Sequence, residues 1–296
     1  MAADSTTNYP GTAMTEEPAP HPHHHHGWWW KTLLSGLALW IVTIVVTVST
    51  QNTNLVPTLI LLGSFLVPFC VVLFVIERVT GSISTLQLIL AFFVGGILGV
   101  LGASLLEAHL QPSFGVYGLI GLIEEFVKGV LLVIVGWRVT PKTAKQGALL
   151  GATIGAGFAA FESAGYAFNA AITAQGIDLT SLLETEVVRA ILAPVGHVLW
   201  TAILGAVLFG CAHLRDRFRW SWWIVVAFLG GALLHAMWDS ASGLAAYIAI
   251  LLGGDPMRYL LFYVIGLAVT SAAGILTLWL ILRHFRQTQP QWESAT

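Results

Sequence analysis

Charge is scarce in this sequence. Of 296 residues, 13 are Lys or Arg and 15 are Asp or Glu, so only 9% are charged. Ordinary soluble domains carry about 25%, which excludes a soluble globular fold for most of the chain. The formal net charge of −2 leaves no basic footprint for a nucleic-acid partner. Cysteine is almost absent. Cys70 and Cys211 both lie in apolar runs, which excludes a disulfide framework or cysteine metal cluster and reads as buried small hydrophobes. Two common hydrolase signatures are also missing. There is no HExxH zinc helix and no G-x-S-x-G elbow, so hydrolytic chemistry, if present, is built another way.

What the chain has instead is apolar length. Apolar residues make up 56% of it, in runs over 28–50, 55–77, 84–107, 115–137, 147–173, 187–212, 221–250 and 257–283. Each is long enough for the ~20 residues of a membrane helix. Between them stand turn formers such as Asn52 to Asn54, Gly81-Ser82, Gly176 and Gly253 to Pro256. Backbone groups in lipid must be satisfied internally, by helices or closed barrels, and these runs lack the period-two alternation of strands. The expected fold is all-α, a polytopic membrane bundle of about eight transmembrane helices. The seventh run is long, which fits either a tilted helix or a break near Gly230-Gly231. Trp28 to Trp30, Trp220, Trp222 and Trp223 stand at run starts, where interfacial aromatics belong.

Residues 1–27 are polar and Pro-rich and carry HPHHHH at 21–26. They read as a disordered cytoplasmic tail with weak metal affinity. The membrane domain is expected over 28–286 and a short cytoplasmic tail over 287–296. The first apolar run is long and lacks an A-x-A-like exit, so it is expected to remain as a span. Lys31, Arg78, Arg138, Lys142, Lys145, Arg215, Arg217, Arg219, Arg283 and Arg286 fall at one set of run ends, against Arg189 and Arg258 at the other. With eight spans, the positive-inside rule puts both termini in the cytoplasm of an integral protein of the plasma membrane.

Ionisable residues inside the runs cluster in spans four to seven: Glu124, Glu125 and Lys128, then Glu162, His197, and His235 with Asp239. Each costs about 2.5–3.5 kcal/mol at the centre of a membrane helix on insertion scales. At about 1.5 Å per residue, Glu124, Glu125 and His197 lie roughly 15 Å below the outer surface, and Glu162 and His235 roughly 21–22 Å above the inner one. All therefore reach a similar level. His235 and Asp239 share a helix face, as do Glu124 and Lys128, which can pair. Small residues nearby (Gly151, Gly155, Gly157, Gly165, Gly205, Gly230, Gly231) would let the helices close around them. Any one of these groups has an ordinary structural explanation; their convergence at one depth points to function.

The motifs E-E-x-x-K (Glu124 to Lys128), F-x-x-x-E (Phe158 to Glu162), H-x-x-x-D (His235 to Asp239) and a histidine in PVGHVLWTAILG (His197) occur in this order on successive spans. Together they resemble the PrsW family of intramembrane proteases, related to the CAAX prenyl endopeptidase group, over roughly residues 80–285. The resemblance implies hydrolysis of membrane-anchored protein substrates, of which an anti-sigma factor is the family's named case. Amide hydrolysis needs a base for water, a donor for the oxyanion and an acid for the leaving amine. Glu124 or Glu125 suits the base, with Lys128 tuning the pair, and Asp239 suits the orienting of His235. Glu162, His197 and His235 match the ligand set of a catalytic zinc ion, with Glu162 also a second candidate for the base and the histidines for the oxyanion donor. The prenyl endopeptidase resemblance implies the alternative, a metal-free glutamate mechanism with the histidines holding the oxyanion. A transporter or proton relay would use the same groups, but no inverted repeat accompanies them. A catalytically dead scaffold would be expected to lack one of the motifs.

Overall fold

The computed structural model describes residues 27–79, 83–111, 113–212 and 217–288. Apart from Gly27, Gln287 and Thr288, both expected tails lie outside the described residues, as does Arg215. The described chain is helical except for a two-residue hairpin pairing Ile172–Thr173 with Gly176–Ile177. Ten α-helices run in order: α1 (Trp28–Thr50), α2 (Val56–Ile76), α3 (Thr85–Phe93), α4 (Gly99–Glu107), α5 (Phe114–Gly136), α6 (Ala144–Ala171), α7 (Leu179–Leu192), α8 (His197–Gly210), α9 (Trp222–Leu251) and α10 (Pro256–Thr288). Seven stretches are long and apolar enough to cross a membrane; α3–α4 and α7–α8 each count as one of them. The 23-residue α5 is of similar length but carries Glu124, Glu125 and Lys128 and is not one of the seven.

Local chemistry fixes the ends. Ser84, Thr143, Asp178 and Ser221 accept a first-turn backbone N–H at α3, α6, α7 and α9, satisfying donors that would otherwise be orphaned. Thr143 forms a full capping box with Gln146. Between α3 and α4 the backbone loosens into a π-turn over Val94–Leu98. Its Gly95 and Gly96 lie against the α6 backbone at Ile154 and Gly157, so the turn serves a close helix crossing.

One expectation about continuity changes, and one open alternative is decided. The sixth span, expected unbroken over 187–212, begins at Leu179 and breaks at a 3₁₀ turn, Ala193–Val195, before α8 starts at His197. Pro194 removes a donor and disfavours helix at the residue before it, and Gly196 adopts a non-helical conformation. The seventh span does not break: α9 runs unbroken through Gly230-Gly231.

The centre of the bundle is α6, packed most closely against α8 and then α2. Gly147, Gly151 and Gly155, four apart, lie on the backbone carbonyls of Gly205, Thr201 and His197. A Cβ at any of the three would overlap the facing carbonyl. In a bilayer, where water drives no association between helices, this small-residue fit is the packing device. It sets an antiparallel register in which α6 carries the start of α8, and with it His197.

Candidate active site

Four helices deliver the polar side chains. Glu124, Glu125 and Lys128 lie midway along α5, and His235 and Asp239 on α9. These helices touch at Gly121, where a Cβ would come within 2.7 Å of the Ala232 carbonyl oxygen and 3.4 Å of His235 Cβ. α6 supplies Glu162, and α8 supplies His197 as its first residue. Glu124, Glu125, Lys128 and His235 are all at most 5% exposed, so in lipid their compensation comes from one another and from His197 and Asp239.

The partners are specific. Lys128 Nζ lies 2.6 Å from Glu125 Oε1, 3.5 Å from Glu124 Oε2 and 2.9 Å from His197 Nδ1. The nearer carboxylate is thus Glu125 at i−3, whereas the expected i−4 pairing with Glu124 is the longer contact. An ammonium only donates, so His197 Nδ1 accepts, and Nε2–H is left to donate to Glu162 Oε2 at 2.9 Å. His235 Nδ1 meets Glu125 Oε1 at 3.1 Å. Its Nε2 lies 3.6 Å from Glu124 Oε2 and 3.4 Å from Asp239 Oδ2. Trp200 stacks on the His235 ring at 4.5 Å, and Phe158 carries the Lys128 ammonium 4.3 Å from its ring centre. Both aromatics restrict how these side chains can turn.

One trio could hold a metal. Glu124, His197 and His235 offer ligand atoms within 4.8 Å of one another; Glu124 Oε2 is 3.8 Å from His197 Nδ1 and 3.6 Å from His235 Nε2. Tetrahedral zinc with bonds of 2.0–2.1 Å needs donors about 3.3 Å apart, so a small closing movement suffices. The far nitrogen of each histidine is held by a different carboxylate, Glu162 for His197 and Glu125 for His235. Metal-binding histidines are usually oriented in this way. Glu162, expected as a ligand, is instead shared between His197 and Arg189 of α7.

A cavity of about 710 Å³ reaches the cluster from the end of the bundle that carries the 107–114 and 171–179 connections. Glu124, Glu162, His197 and Asp239 line it. Glu125, Lys128 and His235 are buried behind that wall. Three lining residues went unrecognised in the sequence. Glu107 and Arg189 were passed over as end-turn charges, and Trp200 as one more apolar residue of its run.

The sequence model of a family described as PrsW family intramembrane metalloprotease matches residues 27–273. The match takes in α1 and α2, which the motifs alone left outside. Neither curated proteins nor solved structures gave a match.

Proposed function

Because the chain belongs to the PrsW family of intramembrane metalloproteases, an intramembrane endopeptidase acting on membrane-anchored protein, we propose that hydrolysis takes place at the cluster on α5, α6, α8 and α9. The observation that carries this is the buried trio of Glu124, His197 and His235, brought together from three helices beside a cavity. A transporter built on the same groups is not favoured.

In this reading Glu124 Oε2, His197 Nδ1 and His235 Nε2 hold a divalent metal, zinc by its match to two imidazoles and a carboxylate. Once bound, it supplies a Lewis acid that acidifies water and polarises the scissile carbonyl. Glu162 and Glu125 orient the two imidazoles from behind. Lys128 Nζ points at two of the three donor atoms, Glu124 Oε2 and His197 Nδ1, and with a metal held there Glu125 Oε1 would be the partner that keeps the ammonium. Asp239 is the proton carrier. Its side chain is 27% exposed on the cavity and lies 3.4 Å from His235 Nε2. There it accepts the proton of the attacking water and returns it to the leaving amine. This moves the base from Glu124 or Glu125 to a cavity-lining carboxylate that faces His235 Nε2.

One observation favours a second, metal-free reading. Lys128 Nζ at 2.9 Å from His197 Nδ1 and 2.6 Å from Glu125 Oε1 occupies the histidine lone pair and pairs with one carboxylate without an ion, leaving Glu124 to activate water; the kinship with CAAX prenyl endopeptidases belongs to this reading and rests on motif order. An anti-sigma factor as substrate, the plasma membrane as location and cytoplasmic termini complete the proposal, the last supported by the Lys and Arg asymmetry.

The test uses purified protein in vesicles with a single-span reporter peptide and no ion gradient. Cleavage by the native protein, lost in Glu124→Ala and His235→Ala variants that still fold, is expected. Cleavage at the native rate by both variants would place the chemistry elsewhere.

A further inference from the structure

Arg189 stands outside every motif, yet it is tied to the cluster more directly than any other residue of α7. Its Nε donates to Ser163 Oγ at 2.8 Å. A terminal guanidinium nitrogen donates to Glu162 Oε2. The guanidinium also lies 4.3 Å from the centre of the Tyr166 ring. All three partners are on α6, so the planar fork is fixed in one orientation by two hydrogen bonds and a ring face. The oxygen it grips, Glu162 Oε2, is the one that takes the proton of His197 Nε2. That proton decides which histidine nitrogen is left with a lone pair facing Glu124 and Lys128.

We propose that Arg189 is a positioning residue of the active site: by clamping Glu162 Oε2, it keeps the acceptor of His197 Nε2–H in place and so holds the ring with Nδ1 turned into the cluster. This rests on hydrolysis taking place at the cluster. In the absence of the clamp, the Glu162 carboxylate is free to rotate toward the cavity it lines, and the imidazole is held only by Lys128 at Nδ1. Arg189 also lines the cavity, and a substrate-binding role there makes the opposite kinetic prediction.

The test compares the native protein with Arg189→Ala, Arg189→Lys, Glu162→Gln and the double variant Arg189→Ala/Glu162→Gln, each as full chain in detergent with one fluorogenic single-span peptide. Groups that orient a metal-binding histidine are worth about 10- to 100-fold, so Arg189→Ala should lower kcat by that factor with KM little changed. Arg189→Lys should recover part of the loss. The double variant should be no slower than Glu162→Gln alone, because both changes cut the same chain of contacts. It also removes the unpaired carboxylate and keeps the test open if Arg189→Ala fails to fold. Independently of turnover, ¹⁵N spectra of labelled histidine should show His197, assigned by its loss in His197→Gln, as Nε2–H in both proteins, because Lys128 stays on Nδ1, with the Nε2–H signal shifted in the double variant as its acceptor loosens. A rise in KM with kcat unchanged, additive losses, or an unshifted Nε2–H signal would overturn the positioning role. If the native protein cleaves nothing, the hydrolysis reading fails, while the histidine spectra still decide what Arg189 does.

Discussion

Replacing Gly155 by alanine should damage catalysis more than it damages the fold. Gly155 of α6 packs on the peptide of His197, and an added Cβ would lie 2.8 Å from the His197 carbonyl carbon and 2.9 Å from Val198 Cα. Ordinary contact begins near 3.4 Å. The helices must therefore part by at least about 0.5–0.6 Å (3.4 − 2.9 and 3.4 − 2.8), and by more to clear the carbonyl oxygen. Overpacking of this kind costs roughly 1–3 kcal/mol, offset by about 1 kcal/mol of helix propensity gained by alanine over glycine. The net loss of stability is about 0–2 kcal/mol. The group displaced is the backbone of His197, and misplacing a reacting group by about 1 Å costs on the order of 100-fold in rate, so kcat/KM should fall roughly 10- to 100-fold. The assay is cleavage of a single-span fluorogenic peptide in detergent, read beside thermal unfolding. Gly230→Ala is the control, since nothing lies within 4 Å of a Cβ there; its rate should stay native. A Gly155→Ala protein with native kcat/KM would refute the claim that the α6–α8 contact positions His197.

Lys128→Met removes the cation that touches Glu125, Glu124 and His197 inside the bundle, and should destabilise the protein by about 3–5 kcal/mol; an unchanged unfolding midpoint would contradict the buried pairing. Glu124→Gln and Glu125→Gln should differ although they are neighbours. The first, on the cavity wall, should lose bound metal and activity together; the second should retain metal at roughly 10- to 100-fold weaker affinity, and identical metal titrations would count against the assigned roles. Reporters fused after Gln287 and inserted near Gly176 should report opposite faces of the membrane, cytoplasmic for the former; the same face for both would remove the proposed orientation.

The parts of this architecture that depend on length and composition were legible in the sequence. Seven of the eight apolar runs are long and apolar enough to cross a membrane, and depth counting along antiparallel helices brought Glu124, Glu162, His197 and His235 together, as their contacts show. Backbone irregularities inside apolar runs were not legible. The π-turn at Val94–Leu98 and the break at Ala193–Val195 leave hydropathy unchanged and arise from packing against α6 and from Pro194. The second of these hid Arg189. A span expected to start at 187 placed it in an end turn, where it counted only as a topology signal, but α7 starts at Leu179 and Arg189 lies well inside the helix. Side-chain direction was the other limit. Spacing puts both Glu124 and Glu125 within reach of Lys128, while packing at Gly121 against α9 decides that Glu125 turns inward and Glu124 faces the cavity. The same holds for Glu162, whose depth suited a ligand but whose oxygen is taken by Arg189 and His197.

The most direct test of the central claim is the metal content of purified protein, measured on the same samples as cleavage. The account predicts one divalent metal per chain in the active protein. A membrane-permeant chelator should abolish cleavage and added zinc should restore it. His197→Ala, His235→Ala and Glu124→Gln should each lose the metal while remaining folded. Full activity in protein shown by elemental analysis to be metal-free would contradict it and leave the glutamate mechanism in its place.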